Sequence, residues 1–215
     1  VAIIMDGNAR WAAEHDVPVL EGHREGARTL KRIVKDAVRV GLSELCVYAF
    51  STENWSRPAD EVEGLMAMFA ELIISETPEL DEEGVRMRFI GRREDVSQEL
   101  RERMAWAEEA TSGNERLRLF VAFNYGGRAE ILDAAERYEG GGEDAFAAGL
   151  YAPEMRDPDL VIRTSGESRL SNFLIWQTAY SELVFADVLW PDFALEHLQD
   201  ALREYEARQR RFGAR

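Results

Sequence analysis

The pattern that most constrains this chain appears in its first residues and then repeats. Val1, Ala2, Ile3, Ile4 and Met5 form an apolar, largely β-branched run. Such a run, bounded by a turn signal, reads as a buried strand. It stops at Asp6, Gly7 and Asn8, and helix formers follow over residues 9–14. Further strands are expected at 45–50, 85–90, 117–123, 160–162 and 183–185. Helical periodicity is expected at 22–40, 62–74, 95–110, 129–138, 143–149 and 195–211. Strands alternating with helices predict one α/β domain over 1–215, with a mainly parallel six-stranded sheet flanked by helices. Ligands of such sheets bind outside the carboxyl ends of the strands. A lone carboxylate at a strand end reads most simply as a helix cap. That reading of Asp6 weakens because the segments starting at Ser51, Asn124 and Arg163 are polar or charged too.

Composition narrows the partners. A length of 215 residues is enough to bury one sizeable core. The formal charge of −15 argues against nucleic acid. It also requires any site for an anion to concentrate its cations locally. Lys31 and Lys35 are the only lysines, so the remaining basic side chains are arginines. Arginine suits bidentate phosphate recognition, although genome composition produces the same bias. The single Cys46, inside an apolar run, permits no disulfide framework and fits a reducing, cytoplasmic setting. No run is long enough to span a membrane.

The loops carry the chemistry. His23 and Arg24 are expected in the first turn of the 22–40 helix, where orphan N–H groups favour anions, with Gly41 as its C-terminal stop. The loop from Ser51 to Pro58 combines hydroxyls, a carboxylate, an amide, the Trp55 indole and Arg57. Asp60 and Glu63 resemble a capping box opening the next helix. That helix carries Val62, Leu65, Met66, Met68, Phe69, Leu72, Ile73 and Ile74, a face wider than a usual core stripe. It is either a deeply buried helix or one wall of an apolar ligand cavity. Arg163, Thr164, Ser165, Gly166, Ser168, Arg169 and Ser171 make a diphosphate cradle. Arg10, Arg57, Arg163 and Arg169 around Asp6 and Glu182 suggest a phosphate ester bound with Mg²⁺, an ion that bridges one or two carboxylates to phosphates. Neither GxxxxGK[ST] nor GxGxxG occurs.

The segments DGNARWA (6–12), GHREG (22–26), YAFSTENWSRP (48–58), NYGGR (124–128), IRTSG (162–166), RLSNFL (169–174) and ADVLWPDF (186–193) together resemble the cis-prenyltransferase family, typified by undecaprenyl diphosphate synthase. The resemblance runs from Val1 to Gly213. It implies condensation of isopentenyl diphosphate onto an allylic diphosphate, with farnesyl diphosphate the expected primer. By that resemblance Asp6 is the catalytic carboxylate and a Mg²⁺ ligand, with Glu182 a second ligand. Gly7, Asn8, Ala9, Arg10, Trp11 and His23 contact the allylic diphosphate. Ser51, Thr52, Glu53, Trp55 and Arg57 match the second loop. Arg163, Arg169, Leu170 and Ser171 match the isopentenyl diphosphate cradle. Asn54 matches a position assigned as proton acceptor, but a neutral amide is a poor base. An apolar tunnel would hold the growing chain, lined by the 62–73 face and part of the 27–38 face. By motif Leu117 stands at the tunnel floor. The resemblance also implies a homodimer, in which the tail Arg210, Arg211, Phe212 and Gly213 completes the neighbouring site, and a peripheral membrane contact for product release. Two departures stand out: Val19 replaces an arginine, and Ala9 replaces a common glycine. The alternative is a non-catalytic partner subunit of a heteromeric prenyltransferase.

Overall fold

The computed structural model describes residues 1–208; the tail at 210–213 lies outside them. Six strands form one sheet: β1 (Ala2–Ile4), β2 (Glu44–Ser51), β3 (Val85–Ile90), β4 (Leu117–Tyr125), β5 (Leu160–Arg163) and β6 (Glu182–Phe185). Their order is β3-β4-β2-β1-β5-β6, and every pairing is parallel. The helices are α1 (Asn8–Glu14), α2 (Val19–Val40), α3 (Ala59–Glu82), α4 (Gln98–Ala110), α5 (Gly127–Arg137), α6 (Gly142–Ala147) and α7 (Leu195–Ala207).

The central strands are buried along their whole length, as strands covered on both faces must be. On one face Ile3, Val47, Leu119 and Phe123 pack with Ile33 and Val34 of α2, Leu65 and Met68 of α3, Leu100 of α4 and Leu198 of α7. On the other, Ala2, Ile4, Tyr48 and Phe120 pack with Met155, Phe173 and Leu174. Cys46 is buried there, and desolvation pushes its thiol far above the ordinary range.

Several boundaries differ from expectation for local reasons. Helix α2 starts at Val19, directly after Pro18, so His23 lies beyond the first turn of its own helix. Gly41 does close that helix, at φ 81°. Helix α3 starts after Pro58 with no side-chain cap, so Asp60 and Glu63 form no capping box. Residues 52–56 form a 3₁₀ turn.

Candidate active site

The chain leaves β1 toward β2 on one side, whereas its neighbour β5 pairs with β6 on the other. The β1–β5 boundary is therefore the topological switch point, where the strand ends part and leave a crevice. Register places Ile4 beside Arg163, so Asp6 and Arg163 emerge together. The Asp6 backbone is tied on both sides. Its N–H donates to Thr164 Oγ1 at 2.9 Å, and its carbonyl accepts from that hydroxyl at 2.6 Å and from Trp190 N at 3.0 Å. The side chain caps no helix: the N-cap of α1 is Gly7, at φ 116°, with no side-chain bond. Asp6 Oδ2 instead accepts from Arg163 Nη2 at 2.8 Å, and Oδ1 lies 3.9 Å from Arg10 Nη2. Arg163 is almost fully buried. Its Nη1 donates to Ser171 Oγ at 2.6 Å and to the Arg169 carbonyl at 2.5 Å, while its buried Nε has no partner among the described residues.

A second cluster faces the first. Gly22 and Gly26, one turn apart on α2, let α1 approach: a Cβ at either would strike Asn8. This close approach sets the Asn8 carboxamide 3.3 Å from His23 Nδ1, while Arg57 Nη1 lies 3.4 Å from Nε2. Burial first, and then the Arg57 charge, depress the His23 pKa from 6.5 to about 4, against the pull of Glu61. The ring is neutral at pH 7. Arginine only donates, so Nε2 accepts and Nδ1 carries the proton. A half-turn of the Asn8 carboxamide offers that proton its carbonyl oxygen, which has no other partner. Arg57 also donates to Glu61 Oε1 at 3.0 Å.

The polar mouth has a volume of about 520 Å³. Asp6, Gly7, Asn8, Ala9, Arg10 and His23 line it together with Ser51, Asn54, Arg57, Arg163 and Ser171. Val19 is in its wall as well. Ala9 sits in helical backbone, so the missing glycine costs nothing there. Asn54 spends its side-chain oxygen on Ser51 N–H at 2.9 Å, as a cap. A neutral amide oxygen that already accepts this bond is a poor catalytic base.

The remaining expected residues stand behind the mouth. Trp55 donates to Asn124 Oδ1 at 2.7 Å and packs edge-on against Phe50. Thr52 donates to Glu53 at 3.1 Å. Burial raises the Glu53 pKa, but bonds from Asn172, Ser51 and Thr52 outweigh it and hold the carboxyl below its usual range. Trp11 donates to Asp192 and stacks on His15. Leu170 packs on the second core, and the exposed Arg169 guanidinium pairs with Glu167.

Glu182 is a correction. It was expected at the same edge as Asp6, but β6 runs parallel to β5 and Glu182 is its first residue, beside Leu160. It lies three residues, on the order of 10 Å, below the level of Arg163. There it accepts from Arg208 Nη1 at 2.8 Å. Within one chain it shares no ion with Asp6.

Asn172 and Trp190 were not expected as site residues, and Thr164, expected in the cradle, instead ties the Asp6 backbone. Asn172 joins three loops: Nδ2 donates to Glu53 at 2.8 Å, Oδ1 accepts from Arg128 N, and its carbonyl accepts from Gly127 N. Ser165, Ser171, Asn172 and Leu174 all have positive φ. Four non-glycine residues in that region within one loop store strain that the surrounding contacts must hold. Trp190 donates its indole N–H to the Gly26 carbonyl at 2.8 Å, tying α2 to the Asp6 turn.

Behind the mouth is a narrow apolar cavity of about 130 Å³. The two share Met5, Asn8, His23, Ala49 and Phe69, so they adjoin. Helix α3 contributes Met68, Leu72, Ile73 and Leu80, helix α2 contributes Ala27, Leu30 and Val34, and the sheet contributes Met87, Leu119 and Val121. The wide face of α3 is thus a cavity wall, beginning at Met68 rather than Val62. Leu117 does not line the cavity; it is fully buried, one pleat below Leu119.

Among the described residues no group of three metal-ligating side chains occurs. Two carboxylates line the mouth, Asp6 and Glu61, and Glu61 is paired with Arg57, which leaves Asp6 to meet an ion. That donor set fits an ion held by one carboxylate and substrate phosphates, not a protein cage.

The family model for undecaprenyl diphosphate synthase, Prenyltransf, matches residues 4–213. The chain is 47% identical to an isoprenyl transferase of Thermotoga maritima, over 99% of this chain and 95% of that protein. It is 47% identical to the ditrans,polycis-undecaprenyl-diphosphate synthase ((2E,6E)-farnesyl-diphosphate specific) of Micrococcus luteus, over 99% and 90%. The crystal structure of lavandulyl diphosphate synthase from Lavandula x intermedia, in complex with dimethylallyl diphosphate, superposes with a TM-score of 0.94 at 33% identity, covering 99% of this chain and 96% of that one. With its sequence matched end to end, and its mouth and apolar cavity on the same fold, the chain belongs to the undecaprenyl diphosphate synthase family of cis-prenyltransferases.

Proposed function

We propose that this enzyme condenses isopentenyl diphosphate with an allylic diphosphate, farnesyl diphosphate being the expected primer, to give a polyprenyl diphosphate with new cis double bonds. One observation carries the reading: an arginine-rich mouth at the switch point adjoins an apolar cavity, with five residues common to both walls. Such a site suits a substrate with an anionic head and a hydrocarbon tail. The allylic C–O bond breaks and diphosphate departs with the electron pair. The double bond of isopentenyl diphosphate attacks the resulting cation to form the new C–C bond, and the departing diphosphate takes up the proton lost from C2. Arg10 and Arg57 supply charge-assisted donors to the departing head. Arg163 and Ser171 form the second cradle. Neutral His23 donates or accepts without adding charge. The apolar walls exclude water from the cation, and Asn54 orients rather than accepts the proton. Mg²⁺, held by Asp6 and substrate phosphates, would neutralise charge on the leaving diphosphate. A homodimer and a peripheral membrane contact for product release complete the reading. The alternative, a non-catalytic subunit, has no observation in its favour, since Asp6 and most of the arginine constellation are present.

The test is turnover of radiolabelled isopentenyl diphosphate with farnesyl diphosphate, with Mg²⁺ and with a chelator. Asp6→Ala should lower kcat by ~10²–10³ and leave the circular dichroism spectrum unchanged. No elongation by the unsubstituted chain would overturn the function; normal activity in Asp6→Ala would overturn the role of Asp6.

A further inference from the structure

The apolar cavity is about 130 Å³, close to the size of a cavity that holds one benzene. It therefore has room for roughly one five-carbon unit, and a growing chain requires it to widen. Its two sides differ in how they could yield. The sheet side is fixed by backbone ladders between β2, β3 and β4. The helix side, beyond its apolar lining, carries two charged residues, Lys31 of α2 and Glu76 of α3. Lys31 Nζ lies 2.6 Å from Glu76 Oε2 and also pairs with Glu79. One turn on, Lys35 pairs with Glu79 and lies 4.0 Å from Glu83 Oε1. The only two lysines of the chain thus face three glutamates across a single seam. All five side chains are 22–39% exposed, so the seam follows the line where the cavity wall meets solvent. Partly exposed ion pairs are weak and are screened by salt, unlike apolar contact of the same extent. Pro78 lies between Glu76 and Glu79 and has no N–H to offer the Ile74 carbonyl. Helix α3 is therefore locally weakened where the seam runs.

We infer that the Lys31 and Lys35 ladder to Glu76, Glu79 and Glu83 is a determinant of product length, an electrostatic seam between α2 and α3 that opens to admit the growing chain. This rests on the chain-elongating function proposed above. Each unit added past the resting cavity must part the two helices. A weaker seam admits more units, and an apolar one fewer.

The test is the product distribution, resolved by reversed-phase chromatography. Lys31→Ala/Lys35→Ala should lengthen the main product by at least one isoprene unit, with the KM for each diphosphate changed less than about threefold. Lys31→Met/Glu76→Met should shorten it. For the unsubstituted enzyme, raising KCl from about 0.05 to 0.5 M should lengthen the product, because the screening length falls severalfold; the Met pair, which keeps only the Lys35 pairs, should respond less. The salt series needs no variant, so it decides even if the double alanine fails to fold. An identical distribution across variants and salt overturns the seam. Binding of pentyl and eicosyl diphosphate, measured by calorimetry, separates this failure from failure of the function. If no chain is elongated, the double alanine should still bind the eicosyl probe about tenfold tighter, with the pentyl probe, which fits the resting cavity, unchanged. Equal changes for both probes overturn the seam independently of turnover.

Discussion

Val19 offers only methyl groups to a mouth built for anions. It is the first residue of α2, lines the mouth and is 39% exposed. The arginines that could replace the lost guanidinium are occupied elsewhere: Arg24 pairs with Glu21 and Glu71, and Arg28 with Glu25. Neither lines the mouth. Val19→Arg should therefore lower KM for the allylic diphosphate about tenfold, since a charged hydrogen bond contributes ~1.5–3 kcal/mol. KM for isopentenyl diphosphate should not move; varying each substrate separately checks both. His23 makes a pH prediction. Its folded pKa of about 4 lies below its ordinary 6.5, so the unfolded chain takes up the proton first as pH falls. The neutral ring costs nothing above pH 6.5, and stability is lost progressively from 6.5 down to about 4. The loss is on the order of 3 kcal/mol. Urea titrations at pH 7 and pH 4.5 should show a smaller fall for His23→Gln than for the unsubstituted protein; equal falls would contradict the assignment. Residue types at the site are legible in sequence, because carboxylate and guanidinium must sit at strand ends to meet phosphate. Their second partners are not. Thr164, Asn172 and Trp190 act through contacts to residues far away in the chain, which no local pattern reports.

At the scale of elements, periodicity reads the strands well, because a strand buried on both faces has few ways to be written. Helix starts are read less well. The apolar pattern of α2 becomes regular only after Gly22, yet Pro18 has already set the backbone for a helix from Val19. The broad face of α3 poses a choice that sequence leaves open, since a buried helix and a cavity wall demand the same residues. Only packing shows that Met68, Leu72, Ile73 and Leu80 border empty space. Leu117 illustrates the same limit along a strand. Side chains at 117, 119, 121 and 123 share one face of β4, but the cavity stops at Leu119, leaving Leu117 as the layer beneath the floor. Leu117→Ala should extend the cavity downward and lengthen the product. Because the residue is fully buried, it should also cost ~2–5 kcal/mol of stability. Chromatography of products at a temperature where the variant stays folded checks the first effect, and thermal melting the second. Unchanged products would place the floor at Leu119 alone.

Over the whole molecule, the two edges of the sheet are unlike. Edge strand β3 carries Arg86 and Arg88 among its apolar residues, and charge on an edge discourages pairing with another chain. Edge strand β6 reads Glu182, Leu183, Val184, Phe185, with no basic residue and with Phe185 40% exposed. Glu182, the one charged member, is neutralised by Arg208. Its misplacement in the sequence reading has the same origin: a residue just before an apolar run can stand at either end of the sheet until strand direction is known. A homodimer that covers the β6 edge would use the unguarded side and leave the guarded one free. Phe185→Lys should then dissociate the dimer in sedimentation experiments. The position is exposed and distant from Asp6 in sequence, so folding should survive with a small change in melting temperature. Turnover should fall more than stability, because the tail expected to complete the neighbouring site would lose its partner. A fully active monomer would refute the dimer's role in catalysis. A dimer unaffected by Phe185→Lys would move the interface to another face.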